Sequence, residues 1–405
     1  MASEKARAGE VERAENMARS AVVLREGGQA TVTQVAHQIG TSRPTVAAAL
    51  ADLAARGLVI ESPVRTAGGR GAGRPARLYE FNNAGGYLAG VDVGEGSVKA
   101  AIADLGGTVI GTATQDVDPD CNGDERFESV VAVIRKALAA HDVPAEKVLS
   151  MTMAVTGLVG HDGRILDSRV LSQWTGWDLP EALQREFGCV AGIENDIRLA
   201  TLAEQRLGAA RGRQDVLCLF AGRRISMGLV LGGTLRRGQH GAAGEVGDII
   251  FSDFADSAGT LRWASAASAA EVFRRAAAGQ LEARADVQRF VNGLSRGLAT
   301  LVMGIDPDLV VIGGGLSRAG EVLLAPLREA VAEHITVPVQ PLIVASELGT
   351  DAVLIGGLIR AATQSAAVTG IPEPQIDLTT GELTGQGREP AAHQELRGAG
   401  SRAHQ

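Results

Sequence analysis

Apolar residues between Thr31 and Phe81 recur first at helical and then at strand spacing. In TVTQVAHQIG, Val35, Ala36 and Ile39 share one face, and in SRPTVAAALADLAARG so do Val46, Ala49, Leu50 and Leu53. The pattern predicts two short amphipathic helices joined by a turn at Gly40, then a strand over 58–60 and a second over 77–81 that pairs back on it. Thr41 or Ser42 is placed to cap the second helix. Pro44 suits its first turn, where no backbone donor is missed, and Gly57 can close it. A preceding helix fits 11–25, while the charged residues from Met1 to about Met17 are expected to fray.

From Tyr87 onward strands and helices alternate, which predicts an α/β domain with parallel or mixed sheets covered by helices. YLAGVDVG, SVKAAIADLGG and TVIGTATQDV read as successive strands. A helix over 125–140, the buried strand VLSMTMAVTG, a helix over 179–187, the strand CVAGIEN and a helix over 197–207 follow. The same order then returns. Strands are predicted over 215–221, 225–231 and 234–236, then a largely helical region over 265–303, the buried strand LVVIGGG, a helix over 320–334, the strand PLIVAS and a helix over 351–362. Two copies of one unit, 86–208 and 209–364, leave a cleft between lobes, where small ligands bind and closure can be driven. Residues 365–405 are polar, aperiodic and rich in Gly and Pro, and are expected to be disordered.

Composition adds little to this but excludes some classes. A chain of 405 residues suits two or three domains, and 45% hydrophobic content with 52 glycines describes an Ala/Gly-rich α/β protein. Cys121, Cys189 and Cys218 stand far apart, with neither a disulfide framework nor a metal-binding spacing. MASEKARAGEVERAEN lacks the apolar core of a signal peptide and no apolar run approaches membrane-spanning length, so the cytoplasm is the expected location.

Charge changes the picture more. The chain carries a net charge of −8, yet between Thr41 and Glu80 six basic residues face three acidic ones. A basic module on an acidic protein points to a partner confined to one surface, and the phosphate backbone of double-stranded DNA is the candidate. Ser42, Arg43 and Thr45 at the start of the second helix, followed by a smooth alanine surface, suit entry into a major groove by its N-terminal end. Arg65, Arg70, Arg74 and Arg77 lie in a Gly-rich stretch without acidic residues, as a wing would. Residues 15–82 therefore read as a winged helix-turn-helix, the alternative being a plain helical hairpin followed by a flexible Gly/Arg linker.

Four motifs then occur in order: VDVGEGSVKAAIADLGG at 91–107, IENDI at 193–197, RRGQHGAAGEVGD at 236–248 and DPDLVVIGGGLS at 306–317, with GRPARLYEF at 73–81 before them. On these the chain resembles the ROK family, and within it the transcriptional regulators rather than the bare sugar kinases, over about residues 15–365. The resemblance implies a winged DNA-binding domain joined to a two-lobed, actin-like (ribonuclease H-like) sugar-kinase fold. It implies roles as well: Asp196 matches the catalytic base that takes a proton from the attacking sugar hydroxyl, and Gln173 falls where an asparagine contacts sugar. Sugar binding also has support from residue type, since hydroxyls need carboxylates and amides drawn from both lobes. Asn195 and Asp196 end a strand in one lobe, and Glu245 follows a Gly/Ala-rich turn in the other. The plainer alternative makes them helix caps and turn acids.

The chain also departs from the family pattern. The kinase phosphate loop Asp-x-Gly-Gly-Thr is here Asp92, Val93, Gly94, Glu95 and Gly96. The Gly-Thr-Gly-Ile-Gly loop becomes Gly222, Arg223, Arg224, Ile225 and Ser226, and only Gly313 to Gly315 keep their form. A carboxylate in place of glycine adds bulk and like-charge repulsion toward phosphate, so kinase activity is expected to be lost and Asp196 to be vestigial as a base. The family's zinc motif, a histidine after Glu-x-Gly and then Cys-x-Cys-Gly-x-x-Gly-Cys, is replaced by Asp248 and IIFSDFADSAGTLRW, so neither metal nor cofactor is expected. Asp248 can still accept hydroxyl hydrogen bonds. Arg223 and Arg224 suit bidentate phosphate contacts, which makes a sugar phosphate a candidate effector, against the alternative of a solvated pair. The expectation is a cytoplasmic, sugar-responsive regulator, a repressor, that binds operator DNA as a homodimer or homotetramer. An ATP-dependent sugar kinase with an appended DNA-binding arm, and an architectural DNA-binding protein with a dead effector site, are the other readings.

Overall fold

Residues 2–63, 77–221, 224–250, 261–379 and 383 are described by the computed structural model. Helix α1 (Ala2–Gly27) opens the chain, so the segment expected to fray is helical instead. Its residues are mostly strong helix formers, and Arg13 pairs with Asp52 at 2.6 Å, which gives the polar end a tertiary partner. Strand β1 (Ala30–Thr31) and helix α2 (Val32–Ile39) follow, with Thr31 and Gln34 forming a reciprocal capping box and Gly40 ending the helix at φ 70°. Ser42 caps helix α3 (Arg43–Ala55), which closes with Gly57 N–H on the Ala54 carbonyl and Leu58 N–H on the Leu53 carbonyl, a Schellman arrangement. Val35, Ala36, Ile39, Val46, Ala49, Leu50 and Leu53 are buried, as their periodicity predicts. Strands β2 (Val59–Pro63) and β3 (Arg77–Phe81) pair antiparallel, and β3 also pairs with β1.

Beyond this unit lie two five-stranded sheets with one topology. In the first, β4 (Tyr87–Val93), β5 (Ser97–Asp104) and β6 (Val109–Asp116) are antiparallel neighbours. After helix α4 (Gly123–Ala139), β7 (Val148–Val155) pairs parallel with β4. A short hairpin, β8 (Leu158–Val159) and β9 (Ile165–Asp167), and helix α5 (Leu179–Phe187) lead to β10 (Val190–Asn195), parallel to β7. Helix α6 (Asp196–Leu207) then passes to the second sheet. There β11 (Val216–Ala221), β12 (Ile225–Leu231) and β13 (Thr234–Leu235) are antiparallel, followed by helices α7 (Gly247–Ile250), α8 (Ala269–Ala277) and α9 (Leu281–Ile305). Strand β14 (Leu309–Gly313), helix α10 (Glu321–His334) and strand β15 (Ile343–Ala345) complete it, with β14 parallel to both β11 and β15. The orders are β6-β5-β4-β7-β10 and β13-β12-β11-β14-β15, so the repeat expected from the sequence is a repeat of topology. Helices cover these sheets, which is why β7, β11 and β14 read as nearly continuous apolar runs.

Helix α11 (Ala352–Thr369) packs on β4, β7 and α6. The last helix thus returns to the first lobe, which corrects a second lobe drawn through residue 364. The span Gly349–Thr369 is apolar and long enough to cross a membrane, and its burial against these elements accounts for that composition. Ser365 is inside α11, and the following segment lays Ile371 and Ile376 into the core at 4% and 3% exposure. The expected disorder from Ser365 therefore fails for residues 365–379, because these apolar anchors sit in an otherwise polar stretch. Helices α6 and α11 form the spine between the lobes: a Cβ at Gly356 would meet the Leu199 carbonyl oxygen at 2.0 Å, and one at Gly228 would meet Thr201 Oγ1 at 1.9 Å.

Candidate functional site

The carboxyl ends of β7 and β10 face the loop after β13, and between them lies a cavity of about 280 Å³ lined by Thr156, Asp167, Ser168, Asn195, Asp196, Arg224, Ser226 and Glu245. An adjoining space of about 360 Å³ adds Glu95, Lys99, Gly314, Gly349 and Thr350. Thr156, Asp196, Arg224 and Ser226 line both, so Asp196 stands at their junction.

Asp196 is the first residue of α6. One carboxylate oxygen accepts the Ile197 N–H at 2.8 Å and the other accepts the Thr156 hydroxyl at 2.8 Å. Removal from water is the main influence on this carboxyl; the Thr156 hydroxyl opposes it and the charges of Asp92 and Glu245 reinforce it, and the group is pushed up to about 7. Near neutral pH it divides between hydrogen-bond donor and acceptor, and either form can hold a hydroxyl. Burial likewise raises Asp92, with Lys99 acting against it.

Asn195 serves the fold first. Its Oδ1 accepts the Arg198 N–H at 3.0 Å and its Nδ2 donates to the Gly157 carbonyl at 3.0 Å, as a helix cap would. Beneath it Glu194, 3% exposed, accepts from Arg198 at 3.1 Å and from the Asn195 N–H at 2.9 Å, while Arg237 contacts its other oxygen. Arg198 also donates to the Gly241 carbonyl. A buried carboxylate and two guanidiniums thereby fasten the second-lobe loop that carries Glu245 onto α6.

Not every expected residue reaches the cleft. Gln173 lies on a 3-10 turn, Ser172–Trp174, with its amide 3.4 Å from the Cys121 carbonyl, and it lines neither cavity. Trp174 causes this: its buried indole donates to the Gly123 carbonyl at 2.9 Å and leaves Gln173 exposed. Arg223 and the side chain of Asp248 lie outside the described residues, as do Arg65, Arg70 and Arg74. Sequence reading passed over Thr156, Asp167 and Ser168. Ser168 donates to the Thr156 carbonyl at 2.6 Å and accepts the Leu171 N–H at 2.8 Å, which fixes this wall. The Asp162-Gly163 turn, with Gly163 at φ 74°, was the signal for the β8–β9 hairpin that carries it.

On the amino-terminal unit, the Ser42 and Thr45 hydroxyls lie 2.7 Å apart and Ser42 also accepts the Thr45 N–H, so both are engaged in the cap. Arg43 is exposed, with Nε donating to Thr33 Oγ1 at 2.9 Å. Arg77 pairs with Glu61 at 2.7 Å across the β2–β3 ladder. Residues 249–263 contain neither Cys nor His, so the chain does not fit a zinc ion of the family's kind there.

The fold and cleft define a two-lobed α/β protein of the sugar-kinase type. The chain belongs to the ROK family, whose pattern matches residues 88–260 and 250–364. It is 37% identical over 227 residues to the bifunctional enzyme NanE/NanK of Brucella suis, covering 52% of this chain and 42% of that protein. The chain thus spans less than half the length of that relative. Among solved structures, a ROK family transcriptional regulator described as a homologue of the E. coli MLC protein superposes with a TM-score of 0.66 at 20% identity, over 88% of this chain and 97% of its own. A ROK family glucokinase from Streptomyces griseus, in complex with glucose and AMPPNP, superposes with a TM-score of 0.58 at 23% identity, over 67% and 98%. The family includes both transcriptional regulators and sugar kinases.

Proposed function

We propose that this chain is a sugar-responsive transcriptional regulator, a repressor, whose amino-terminal unit binds operator DNA and whose cleft holds the effector. The observation that carries this reading is the extent of the fold likeness: the regulator covers 88% of the chain and the glucokinase 67%. The difference, about a fifth of the chain, is the size of the unit formed by α1 to β3. That unit is read as a winged helix-turn-helix with α3 in the major groove. Arg43, beside the cap formed by Ser42 and Thr45, meets base edges; Arg65, Arg70 and Arg74 enter the minor groove, and Arg77 stays paired with Glu61. A homodimer or homotetramer would read half-sites about one or two helical turns apart.

The effector is a sugar or sugar phosphate. Asp196, Asn195, Glu245 and Asp248 address hydroxyls, and Arg224 with Arg223 addresses a phosphoryl group. A second reading, an ATP-dependent sugar kinase, is favoured by one observation: Asp196 lies in the cleft near enough to feel the charge of Asp92, and a carboxyl near 7 suits a general base. Against it, a carboxylate, Glu95, lines the space beside Lys99 that the phosphates of a nucleotide would need. Footprinting with and without a panel of hexoses and their 6-phosphates, run beside a coupled ADP-release assay, decides. A sugar-dependent footprint without ADP release supports the regulator; rapid ADP release with no protected DNA replaces it with the kinase.

A further inference from the structure

Helix α6 and a set of polar contacts at its far end join the cleft to the amino-terminal unit through the segment after α11. Helix α6 holds Asp196 at its first residue and Arg206 in its last turn, about 15 Å further along the axis. Arg206 donates to Glu373 at 3.1 Å, and Thr363 of α11 donates to the other carboxylate oxygen. On the opposite side Arg25 of α1 donates to the carbonyls of Pro372 at 2.7 Å and Glu373 at 3.3 Å, with its guanidinium 5.8 Å from the Phe81 ring of β3. Ile371 and Ile376 share a core with Ala21 and Leu24 of α1, and the Asp377 N–H donates to the Gly107 carbonyl at 2.8 Å. The packing is not tight throughout. A space of about 230 Å³ lies between Arg206, Leu207 and Ile359 on one side and residues 373–376 on the other, so this strap can shift without opening a new void.

We propose that residues 370–377 transmit the state of the effector cleft to the DNA-binding unit, with Glu373 as the joint. The proposal rests on the effector reading given above. Helix α6 carries Asp196 and is also tied to the second lobe through Arg198 with Gly241 and through Glu204, which accepts from Ser346 and from the Leu348 N–H. Movement between the lobes therefore displaces α6. The pair of Arg206 with Glu373 passes that displacement to the strap, and Arg25 passes it to α1. Both partners are partly exposed, so the contact breaks and re-forms at low cost, as a joint must.

Hydrogen exchange on the full chain tests this, comparing the wild type with Glu373→Gln and using glucose and a panel of other hexoses as probes. Without sugar, Glu373→Gln speeds exchange of the Asp377 amide about two- to fivefold and leaves residues 197–200 unchanged. An unchanged Asp377 amide overturns the role of Glu373. With sugar, the wild type gains protection at 197–200 and at 24–28; the variant keeps the first and loses the second, and the charge-reversed pair Arg206→Glu with Glu373→Arg recovers it. Protection at 24–28 that persists in Glu373→Gln overturns the proposal. Failure of every sugar to protect 197–200 in the wild type overturns the effector reading instead, while the sugar-free comparison still reports whether Glu373 holds the strap.

Discussion

Arg198 of the first lobe donates to the Gly241 carbonyl of the second while paired with the buried Glu194. The guanidinium therefore has two duties, neutralising a carboxylate that is 3% exposed and closing a loop from the other lobe. Arg198→Met keeps the stem but removes both. Glu194 keeps Arg237 and the Asn195 N–H but loses its buried cation, and the Gly241 carbonyl loses its donor, a loss of about 3 kcal/mol for breaking a buried pair from one side. Thermal denaturation should show a fall of several degrees. Replacing Glu194 by Leu in the same chain should recover part of it, because an uncompensated charge costs more than an apolar pair. Strict additivity of the two changes would show that they are not coupled.

The legible parts of this fold were those written in local pattern. Helices α2 and α3 followed from the spacing of Val35, Ile39, Val46, Leu50 and Leu53, and the doubled sheet from runs such as VLCLFA and LVVIG that are buried on both faces. Asn195 and Asp196 could be placed because a strand end running into a helix is itself a local signal. Contacts made at a distance left no such trace. Nothing local marks Thr156 as the partner of Asp196 or Arg237 as the partner of Glu194, and Gln173 was lost to the cleft because Trp174 bonds a carbonyl on α4. Ile371 and Ile376 are too few and too widely spaced to show a period, yet they hold the strap in place.

Asp196 makes stability depend on pH. Its carboxyl titrates near 7 in the folded chain against an ordinary 3.8, so between these values the folded state holds the proton more firmly than the unfolded one. The resulting stabilisation is fully present below the lower value and is lost as pH rises through the upper. Asp196→Asn keeps an acceptor for the Ile197 N–H and removes the titration. The fall in stability from about pH 5 to about pH 8 should then shrink by on the order of 2 kcal/mol. Urea denaturation across that range measures it; equal slopes for the two proteins would place the Asp196 titration elsewhere.

The spine between the lobes should be intolerant of a single carbon. A methyl group at Gly356 would sit 2.0 Å from the Leu199 carbonyl oxygen, and because both atoms belong to packed helices neither can yield alone. Gly356→Ala should cost about 2 kcal/mol or more and loosen α11 on α6. Gly304, near the end of α9, meets nothing within 4 Å, so alanine there should be neutral or stabilise by a few tenths of a kcal/mol. Paired melting curves check both, and a harmless Gly356→Ala would show that the helices are not in backbone contact.

Arg43 and Arg77 differ in what already holds them, and that difference should appear on DNA. Arg43 is exposed and, among the described residues, donates to a neutral hydroxyl, that of Thr33, so its charge is available to a base edge. Arg77 already faces Glu61 at 2.7 Å, and a phosphate must displace that carboxylate to gain a contact. If α3 lies in the major groove, Arg43→Ala should weaken binding to a selected duplex by about 1–3 kcal/mol and relax the preference at one base position. Arg77→Ala should leave sequence preference intact and change the slope of log affinity against log salt by well under the roughly 0.9 expected for one phosphate contact. Anisotropy titrations at several salt concentrations measure both. A full unit change in slope for Arg77→Ala would mean that Glu61 releases it on the duplex, and an unaltered preference for Arg43→Ala would remove α3 from the role of reader.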